Sequence, residues 1–230
     1  VKSGKLSACT KPKPSDIYII CVPTPLKKID EQLVPQLSYV DAATRSLKTL
    51  LKPNDLVILE STSPVGTTKF ISEVLEEEGV DISKISFAYC PERVLPGSII
   101  KELTTNDRVV GGLNNESTEI AASFYKTFVK GNVYKTNAET AEMCKLTENS
   151  FRDVNIAFAN ELSIICDDED INVNELIMLA NKHPRVDILE PGPGVGGHCI
   201  AIDPWFIVSK HKSKAKLIES AREVNINKED

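Results

Sequence analysis

Short apolar runs alternate with amphipathic stretches through the first 136 residues of the chain. The runs are rich in β-branched residues, which is typical of strands buried in a parallel sheet. The stretches between them place their apolar residues at helical spacing. The predicted strands are 17–22, 56–59, 85–89, 108–111 and 132–134, and the predicted helices are 38–51, 67–78 and 115–127. Strands separated by such helices predict an α/β fold with a mostly parallel sheet.

The pattern changes at about residue 137. Residues 138–168 contain neither Gly nor Pro, and their apolar positions predict one long helix, or two helices with a kink. Further helices are predicted over 172–181, 204–209 and 214–227. We therefore expect an α/β part, residues 1–136, followed by an all-helical part, residues 137–230.

Composition limits the classes of protein to which the chain can belong. A hydrophobic content of 41% and a charged content of 26% are ordinary for a soluble globular protein. The net charge of −6 argues against nucleic acid or an anionic membrane as a partner. The 6 cysteines are widely spaced, with no metal-binding pair, and no apolar run is long enough to span a membrane. We expect free thiols in a reducing cytoplasm and no metal site.

Both ends of the chain suggest a fragment of a longer protein. The chain begins with Val1 rather than Met, and it ends at Asp230 without an obvious stop. We expect residues to be missing on both sides.

Three consecutive predicted strands are followed by polar residues and prolines. These segments are Val22-Pro23-Thr24, the run 60–66 and the run 90–93. Each alone is explained by ordinary turn chemistry. Ligands of open α/β sheets bind at the carboxyl ends of the strands, so the three together favour a binding site.

The run 192–197 matches the pattern G-x-G-x-x-G, yet it does not predict a dinucleotide site. That fingerprint needs a strand before it and a helix opening within it, and Pro193 removes a backbone N–H that a phosphate would need. A loop that lets its backbone approach a ligand closely is the better interpretation. Cys199 follows this loop, with His198 before it and Asp203 four residues later. A lone cysteine is more often a small buried apolar residue, but these neighbours favour a nucleophile.

Lys145 and Asn149 lie four residues apart on the predicted long helix, so they project from the same face. A lysine on a helix is usually a solvated surface residue. Its neighbours here are mostly apolar, which makes a buried functional pair worth considering.

Four segments together resemble the UDP-glucose/GDP-mannose dehydrogenase family, and the similarity extends across essentially the whole chain. The segments are 60–67, 90–97, 145–155 and 191–206. Two departures distinguish the chain from the members that act on UDP-glucose. Pro96 replaces an acidic residue, and Ile202 replaces a lysine. Both fit the members that oxidise acetamido sugars, and UDP-N-acetyl-D-mannosamine is the implied substrate.

The resemblance implies a catalytic role for six residues. Cys199 would be the nucleophile, and Lys145 and Asn149 would stabilise an oxyanion. Asp203 would support water or proton transfer. The remaining two are Glu92, which would activate the hydrolytic water, and Thr62, which would line the nicotinamide and water site.

Binding roles are implied for a larger set. NAD is the implied cofactor, and its expected contacts are Val22, Pro23, Thr24, Ser61 and Thr62. The expected contacts of the UDP-sugar are Glu92, Arg93, Val94, Lys145, Asn149, Arg152, Arg185, Gly192, Gly194, Gly196, Gly197 and His198. Arg185 would reach the sugar nucleotide of a neighbouring subunit.

For the molecule as a whole, the resemblance implies part of a Rossmann-like NAD-binding domain, residues 1–136, and a central helical dimerisation domain, residues 137–230. The first NAD-binding strand–turn–helix and the C-terminal UDP-binding domain would be missing, so we expect this fragment to be inactive alone. The implied reaction is a four-electron oxidation of the sugar C6 alcohol to a uronate for polysaccharide biosynthesis. Partners would be the UDP-sugar and a second copy of the chain, forming a homodimer or higher oligomer.

Five alternatives remain open, three of them other substrates. UDP-glucose, UDP-N-acetylglucosamine or UDP-N-acetylgalactosamine would each suit the same chemistry as substrate. A two-electron hydroxyacid dehydrogenase also places Lys and Asn four residues apart on a helix, but it does not need Cys199. The last alternative is that the chain is a dimerisation scaffold without catalytic activity.

Overall fold

The structure is a computed structural model that describes residues 5–30, 32–94, 97–197 and 199–229. The predictions for His198 and Pro96 lie outside these residues. In chain order the strands are β1 (Ile17–Ile20), β2 (Leu26–Ile29), β3 (Gln32–Pro35), β4 (Leu56–Leu59), β5 (Ser86–Tyr89), β6 (Arg108–Gly112) and β7 (Val133–Asn137). The helices are α1 (Ser38–Arg45), α2 (Thr67–Glu77), α3 (Ile99–Thr105), α4 (Asn115–Lys126), α5 (Ala138–Asp168), α6 (Val173–Ala180), α7 (Asp203–His211) and α8 (Lys216–Ile226).

Five of these strands form one sheet in the order β1-β4-β5-β6-β7. The pairs β1–β4, β4–β5 and β6–β7 are parallel, which confirms the expected α/β fold with a mostly parallel sheet. The pair β5–β6 is antiparallel. The short helix α3, on the connection between these two strands, was not predicted from the sequence.

The central strand β4 explains why its sequence is a continuous apolar run. Val57 and Leu59 face a core that includes Ile71 of α2, while Leu56 and Ile58 face a second core that includes Tyr125 of α4. All four residues of β4 are buried. A strand covered by helices on both faces has no solvent side, so its sequence does not alternate.

The predicted long helix is one uninterrupted helix, α5. Several other boundaries differ from the prediction. Strand β1 ends at residue 20 rather than 22, α1 gives way to turns after residue 45, and β7 is longer than predicted. The antiparallel pair β2–β3 was not predicted at all.

The chain divides into two compact units. Unit 1 takes its residues from 1–24, 37–61 and 65–142, and it contains the five-stranded sheet. Unit 2 takes its residues from 25–36, 62–64 and 143–230. It contains most of α5, the helices α6 to α8, and the β2–β3 hairpin, so it combines helices with a small antiparallel sheet.

Candidate active site

In unit 1, the segments that follow β1 and β4 are joined by side-chain hydrogen bonds. The Ser61 hydroxyl donates to the Val22 carbonyl at 2.7 Å, and the Cys21 thiol donates to Glu60 Oε2 at 3.4 Å. The Tyr125 hydroxyl, from α4, donates to Glu60 Oε1 at 2.5 Å. Because β1 and β4 are parallel neighbours, their carboxyl ends lie at one edge of the sheet, as the sequence predicted for these loops.

The third loop of unit 1 is ordered around Glu92. Its Oε1 accepts the backbone N–H groups of Arg93 at 2.6 Å and Val94 at 2.9 Å. Its Oε2 lies 3.5 Å from Nη1 of Arg108, a guanidinium that is only 1% exposed. Arg108 also stacks over the ring of Tyr125, with 5.7 Å to the centroid. Glu92 is therefore held in one orientation by two amides and a buried cation.

Cys90 begins the same loop, but it is unsuited to be a nucleophile. It is fully buried, and burial raises the pKa of its thiol to about 12. A thiol with that pKa is almost wholly protonated at neutral pH. The exposed Cys199 is the better candidate on accessibility.

In unit 2, three of the predicted catalytic residues form one cluster. The Asn149 amide donates to Asp203 Oδ2 at 2.5 Å, which joins α5 to the first residue of α7. Burial raises the pKa of Asp203 to about 6, against the opposing effects of the Asn149 hydrogen bond and the Lys145 charge. A carboxyl with this pKa exchanges a proton near neutral pH, which suits a group that handles protons.

Cys199 is joined to this cluster through the backbone. Its carbonyl accepts the N–H groups of Ile202 at 3.0 Å and Asp203 at 2.9 Å, so the residue begins the turn that leads into α7. Cys199 itself is exposed. The turn places an accessible cysteine four residues before the buried Asp203.

The glycine-rich run 192–197 is an irregular loop. Residues 181–197 contain neither helix nor strand, and α7 begins only at residue 203, so the context of a dinucleotide fingerprint is absent. Gly194 has a φ of 111° and Gly197 a φ of 86°, a region that other residues rarely adopt. The loop conformation therefore depends on glycine at these two positions.

The remaining predicted residues divide between the units. Thr24 and Thr62 are half-buried, the former in unit 1 and the latter in unit 2, while Pro23 is exposed. Arg152 and Arg185, both in unit 2, are exposed. Unit 1 thus carries the predicted residues around Val22, Ser61 and Glu92, and unit 2 carries those around Cys199.

Arg108 and Tyr125 of the unit 1 arrangement were not predicted from the sequence, and Glu60 entered the prediction only as part of the run 60–66. The available signal was Arg108 itself, a charged residue at the start of an otherwise apolar predicted strand. A buried charge requires a partner, so such a residue indicates an acidic group close by.

The described ranges lack two further features. They contain no group of three or more His, Cys, Asp or Glu side chains that could hold a metal ion. Within the same ranges, no helix combines the length and the apolar character that crossing a membrane requires.

Comparison with known proteins identifies the family. Residues 1–129 match the NAD-binding domain of the UDP-glucose/GDP-mannose dehydrogenase family, and residues 139–227 match its central domain. The chain belongs to the UDP-glucose/GDP-mannose dehydrogenase family. The boundary between the two matches falls close to Ala138, where α5 begins.

Individual relatives carry more specific names. The chain is 56% identical to a UDP-N-acetyl-D-mannosamine dehydrogenase of Campylobacter jejuni, over 99% of this chain and 58% of the relative. It is 55% identical to an NDP-N-acetyl-D-galactosaminuronic acid dehydrogenase of Ralstonia nicotianae, over 98% of this chain and 55% of the relative.

A solved structure of UDP-N-acetyl-mannosamine dehydrogenase from Staphylococcus aureus is 47% identical, with a TM-score of 0.87 over 99% of this chain and 54% of that chain. The chain therefore spans little more than half the length of these relatives.

Proposed function

We propose that the protein carrying this chain oxidises the C6 alcohol of UDP-N-acetyl-D-mannosamine to a carboxylate, using NAD⁺. The observation that carries this proposal is the cluster of Lys145, Asn149 and Asp203 beside Cys199, which supplies a thiol, donors for an oxyanion and a group that exchanges protons. The names of the relatives from Campylobacter jejuni and Staphylococcus aureus support the substrate. The free state of all six cysteines fits a cytoplasmic enzyme.

Four of the five predicted cofactor contacts lie in unit 1, and their arrangement fits a nicotinamide cofactor. The carboxyl ends of β1 and β4 lie at one edge of the sheet, and the Ser61 hydrogen bond fixes the Val22 loop there. Dinucleotides bind at such edges in Rossmann-like folds. We propose that Val22, Pro23, Thr24, Ser61 and Thr62 hold NAD, which supplies the hydride acceptor for both oxidations. Residues 1–136 would then be the NAD-binding part, and residues 137–230 the central part.

Cys199 explains how two oxidations occur at one carbon. After the first hydride leaves C6, the Cys199 thiolate adds to the aldehyde carbon to give a thiohemiacetal. Loss of a second hydride converts this adduct into a thioester, and water then cleaves the thioester to the carboxylate and the free thiol. The acyl group stays covalently bound, so the aldehyde is not released.

The neighbouring residues have defined tasks in this scheme. Lys145 and Asn149 donate to the oxygen that becomes negative on addition and on hydrolysis, and one such donor contributes about 3 kcal/mol. Asp203 accepts a proton as the thiol or the water is activated. Glu92, held by its two amides and Arg108, orients the hydrolytic water. The glycine loop, with Arg152 and Arg93, would contact the sugar nucleotide.

The test counts reduced cofactor in the complete protein that carries this chain. We expect two NADH for each UDP-N-acetyl-D-mannosamine consumed, and one would instead indicate a two-electron hydroxyacid dehydrogenase. Cys199→Ser should lower carboxylate formation at least about 100-fold, because no thioester can form. Cys9→Ser, which replaces another exposed thiol, is the matched control and should leave the rate unchanged.

An alternative sugar is tested in the same assay. The relative from Ralstonia nicotianae bears the name of an N-acetylgalactosaminuronic acid dehydrogenase, at almost the same identity as the mannosamine enzymes. We expect the mannosamine sugar to give the highest kcat/KM in a panel that includes UDP-N-acetylgalactosamine, UDP-N-acetylglucosamine and UDP-glucose. A higher value for any other sugar would reassign the substrate and leave the mechanism in place.

We also propose that a second copy of the chain binds along α5. Phe151, Phe158 and Ile165 are spaced by seven residues, which places them in one stripe along the helix. All three are at least half exposed, and so are Met178 and Leu179 of α6. Apolar side chains that a monomer leaves in water in this arrangement are typical of a subunit interface. We propose that Arg185, which is exposed in unit 2, reaches the sugar nucleotide bound to that second copy.

A further inference from the structure

The glycine loop is tied to a chain of buried polar side chains that the proposed mechanism does not use. We define the Asn160 network as Asn160, Asn225, Asp153 and Arg222. We propose that this network positions the glycine loop, and through it Cys199, for reaction. The inference rests on the proposed function for its catalytic consequence, but not for its structural one.

A continuous series of hydrogen bonds connects the loop to α8. The Gly192 N–H donates to Asn160 Oδ1 at 2.8 Å, and Asn160 Nδ2 donates to Asn225 Oδ1 at 2.8 Å. Asn225 Nδ2 donates to the Asp153 carbonyl at 3.0 Å and to Asp153 Oδ1 at 2.9 Å. Arg222 Nη1 donates to the same carboxylate oxygen at 2.6 Å.

Each amide in this series has only one orientation that satisfies its neighbours. A backbone N–H can only donate, so Asn160 must present its oxygen to Gly192 and its nitrogen to Asn225. Asn225 must then present its nitrogen to Asp153, where both partners are acceptors. The network therefore has a fixed direction, from the Asp153 carboxylate outward to the loop.

Burying the four polar side chains of this network costs free energy. Asn160 and Asp153 are 0% exposed, and Arg222 and Asn225 are 2% exposed. Apolar residues of similar volume often stabilise a core as well as a buried ion pair does. Packing of α5 against α8 thus does not by itself require these four side chains, whereas fixing the loop requires the acceptor that Asn160 presents.

Gly194 supplies an independent observation. A Cβ placed on this residue would lie 2.6 Å from the Asn225 carbonyl oxygen, so the loop backbone packs directly against α8. The loop is thus held at two positions, Gly192 and Gly194, by the same part of the molecule. Its other end is held where the Cys199 carbonyl accepts the Asp203 N–H. Cys199 lies on a short segment that is fixed on both sides.

The test compares two substitutions of Asn160 in the complete protein. Asn160→Leu removes both the acceptor for Gly192 and the donor to Asn225. Asn160→Asp keeps an acceptor for Gly192, but it buries a second carboxylate close to Asp153, so it should destabilise the fold at least as much. We expect kcat to fall at least 10-fold in Asn160→Leu and less than 3-fold in Asn160→Asp. An activity order that follows the stability order would overturn the proposal.

Hydrogen exchange tests the structural part of the proposal, and this measurement requires no substrate. Peptides covering residues 189–199 should exchange at least 10-fold faster in Asn160→Leu, while peptides from the first half of α5 stay unchanged. Ser163→Ala is the matched control, because Ser163 is a buried polar residue one turn further along α5 that donates to the Asn160 carbonyl and not to the loop. Unchanged exchange of 189–199 in Asn160→Leu would also overturn the proposal.

Two glycine substitutions provide a second test in case Asn160→Leu does not fold. Gly194→Ala pushes the loop away from Asn225. Gly197→Ala imposes a similar backbone strain, but among the described residues beyond its chain neighbours no atom lies within 4 Å of the new methyl group. We expect faster exchange of 189–199 only in Gly194→Ala, and equal effects would contradict the inference. If the unmodified protein reduces no NAD⁺ with any UDP-sugar, the proposed function fails while these exchange results still decide the role of the network.

Discussion

Asp203 shows how one residue acquires its chemistry from its surroundings. It is 4% exposed at the start of α7, and burial raises its pKa to about 6 although Asn149 and Lys145 favour the charged form. The folded chain therefore binds more protons than the unfolded chain between about pH 4 and pH 6. The free energy of unfolding should fall as the pH rises through this window, by on the order of 3 kcal/mol.

Asp203→Asn should remove most of this pH dependence, because the amide does not ionise and its oxygen can still accept from Asn149. We expect the variant to be at least as stable as the parent at pH 7.5, with the difference fading at pH 4. Urea unfolding at a series of pH values measures this. Asp187→Asn, at an exposed position, is the control. A parent chain whose stability rises between pH 4 and pH 6 relative to Asp203→Asn would contradict the assignment.

At the scale of elements, α2 begins in an unusual way. Its N-cap is Gly66, at a φ of 99° and with no side chain to cap the helix. Glu142 of α5 supplies the acceptor instead, from 76 residues away in the sequence. Its carboxylate accepts from the Gly66 N–H at 2.6 Å, and from the Thr68 N–H and hydroxyl at 2.7 Å each. A negative charge at a helix N-terminus is favourable, so Glu142 joins α5 to α2 within unit 1.

We expect Glu142→Leu to lower the free energy of unfolding by about 3 kcal/mol, because it leaves buried N–H groups without an acceptor. Glu142→Gln keeps one acceptor oxygen and should cost about 1 kcal/mol. Glu161→Gln, at an exposed position further along α5, is the matched control and should change little. Chemical denaturation of the three variants is the measurement. Equal losses in the leucine and glutamine variants would show that the hydrogen bonds do not carry the effect.

At the scale of the whole molecule, the stripe of Phe151, Phe158 and Ile165 makes self-association testable. Replacing Phe151 and Phe158 together with Glu should weaken a dimer at least about 100-fold, since buried aromatic residues dominate interface energies. Tyr39→Glu, at an exposed aromatic residue of α1, is the control and should leave the dimer intact. Sedimentation velocity over a range of concentrations measures the change. A parent protein that stays monomeric at high concentration would exclude this interface.

The sequence by itself determined the fold class and most of the elements. Two patterns were sufficient for these predictions: the apolar runs of β4 and β5, and the unbroken helical pattern of 138–168. A strand buried on both faces is continuously apolar, and a helix repeats its apolar residues at a fixed spacing, so both are visible in the sequence. The i, i+4 spacing of Lys145 and Asn149 likewise predicted that they share a face. The four segments 60–67, 90–97, 145–155 and 191–206 together were enough for the family, which the matches over 1–129 and 139–227 confirm.

Only the tertiary structure decided which residues from distant parts of the chain meet. The β2–β3 hairpin lacks a clear turn signal, and the antiparallel pairing of β5 and β6 depends on how the connection that carries α3 folds back. Glu142 bonded to the start of α2, Arg108 beside Glu92, and Asn160 bonded to Gly192 are contacts between residues 16 to 76 positions apart. No local pattern records such a partner, because each of these side chains is satisfied by a group that only the folded chain brings within reach.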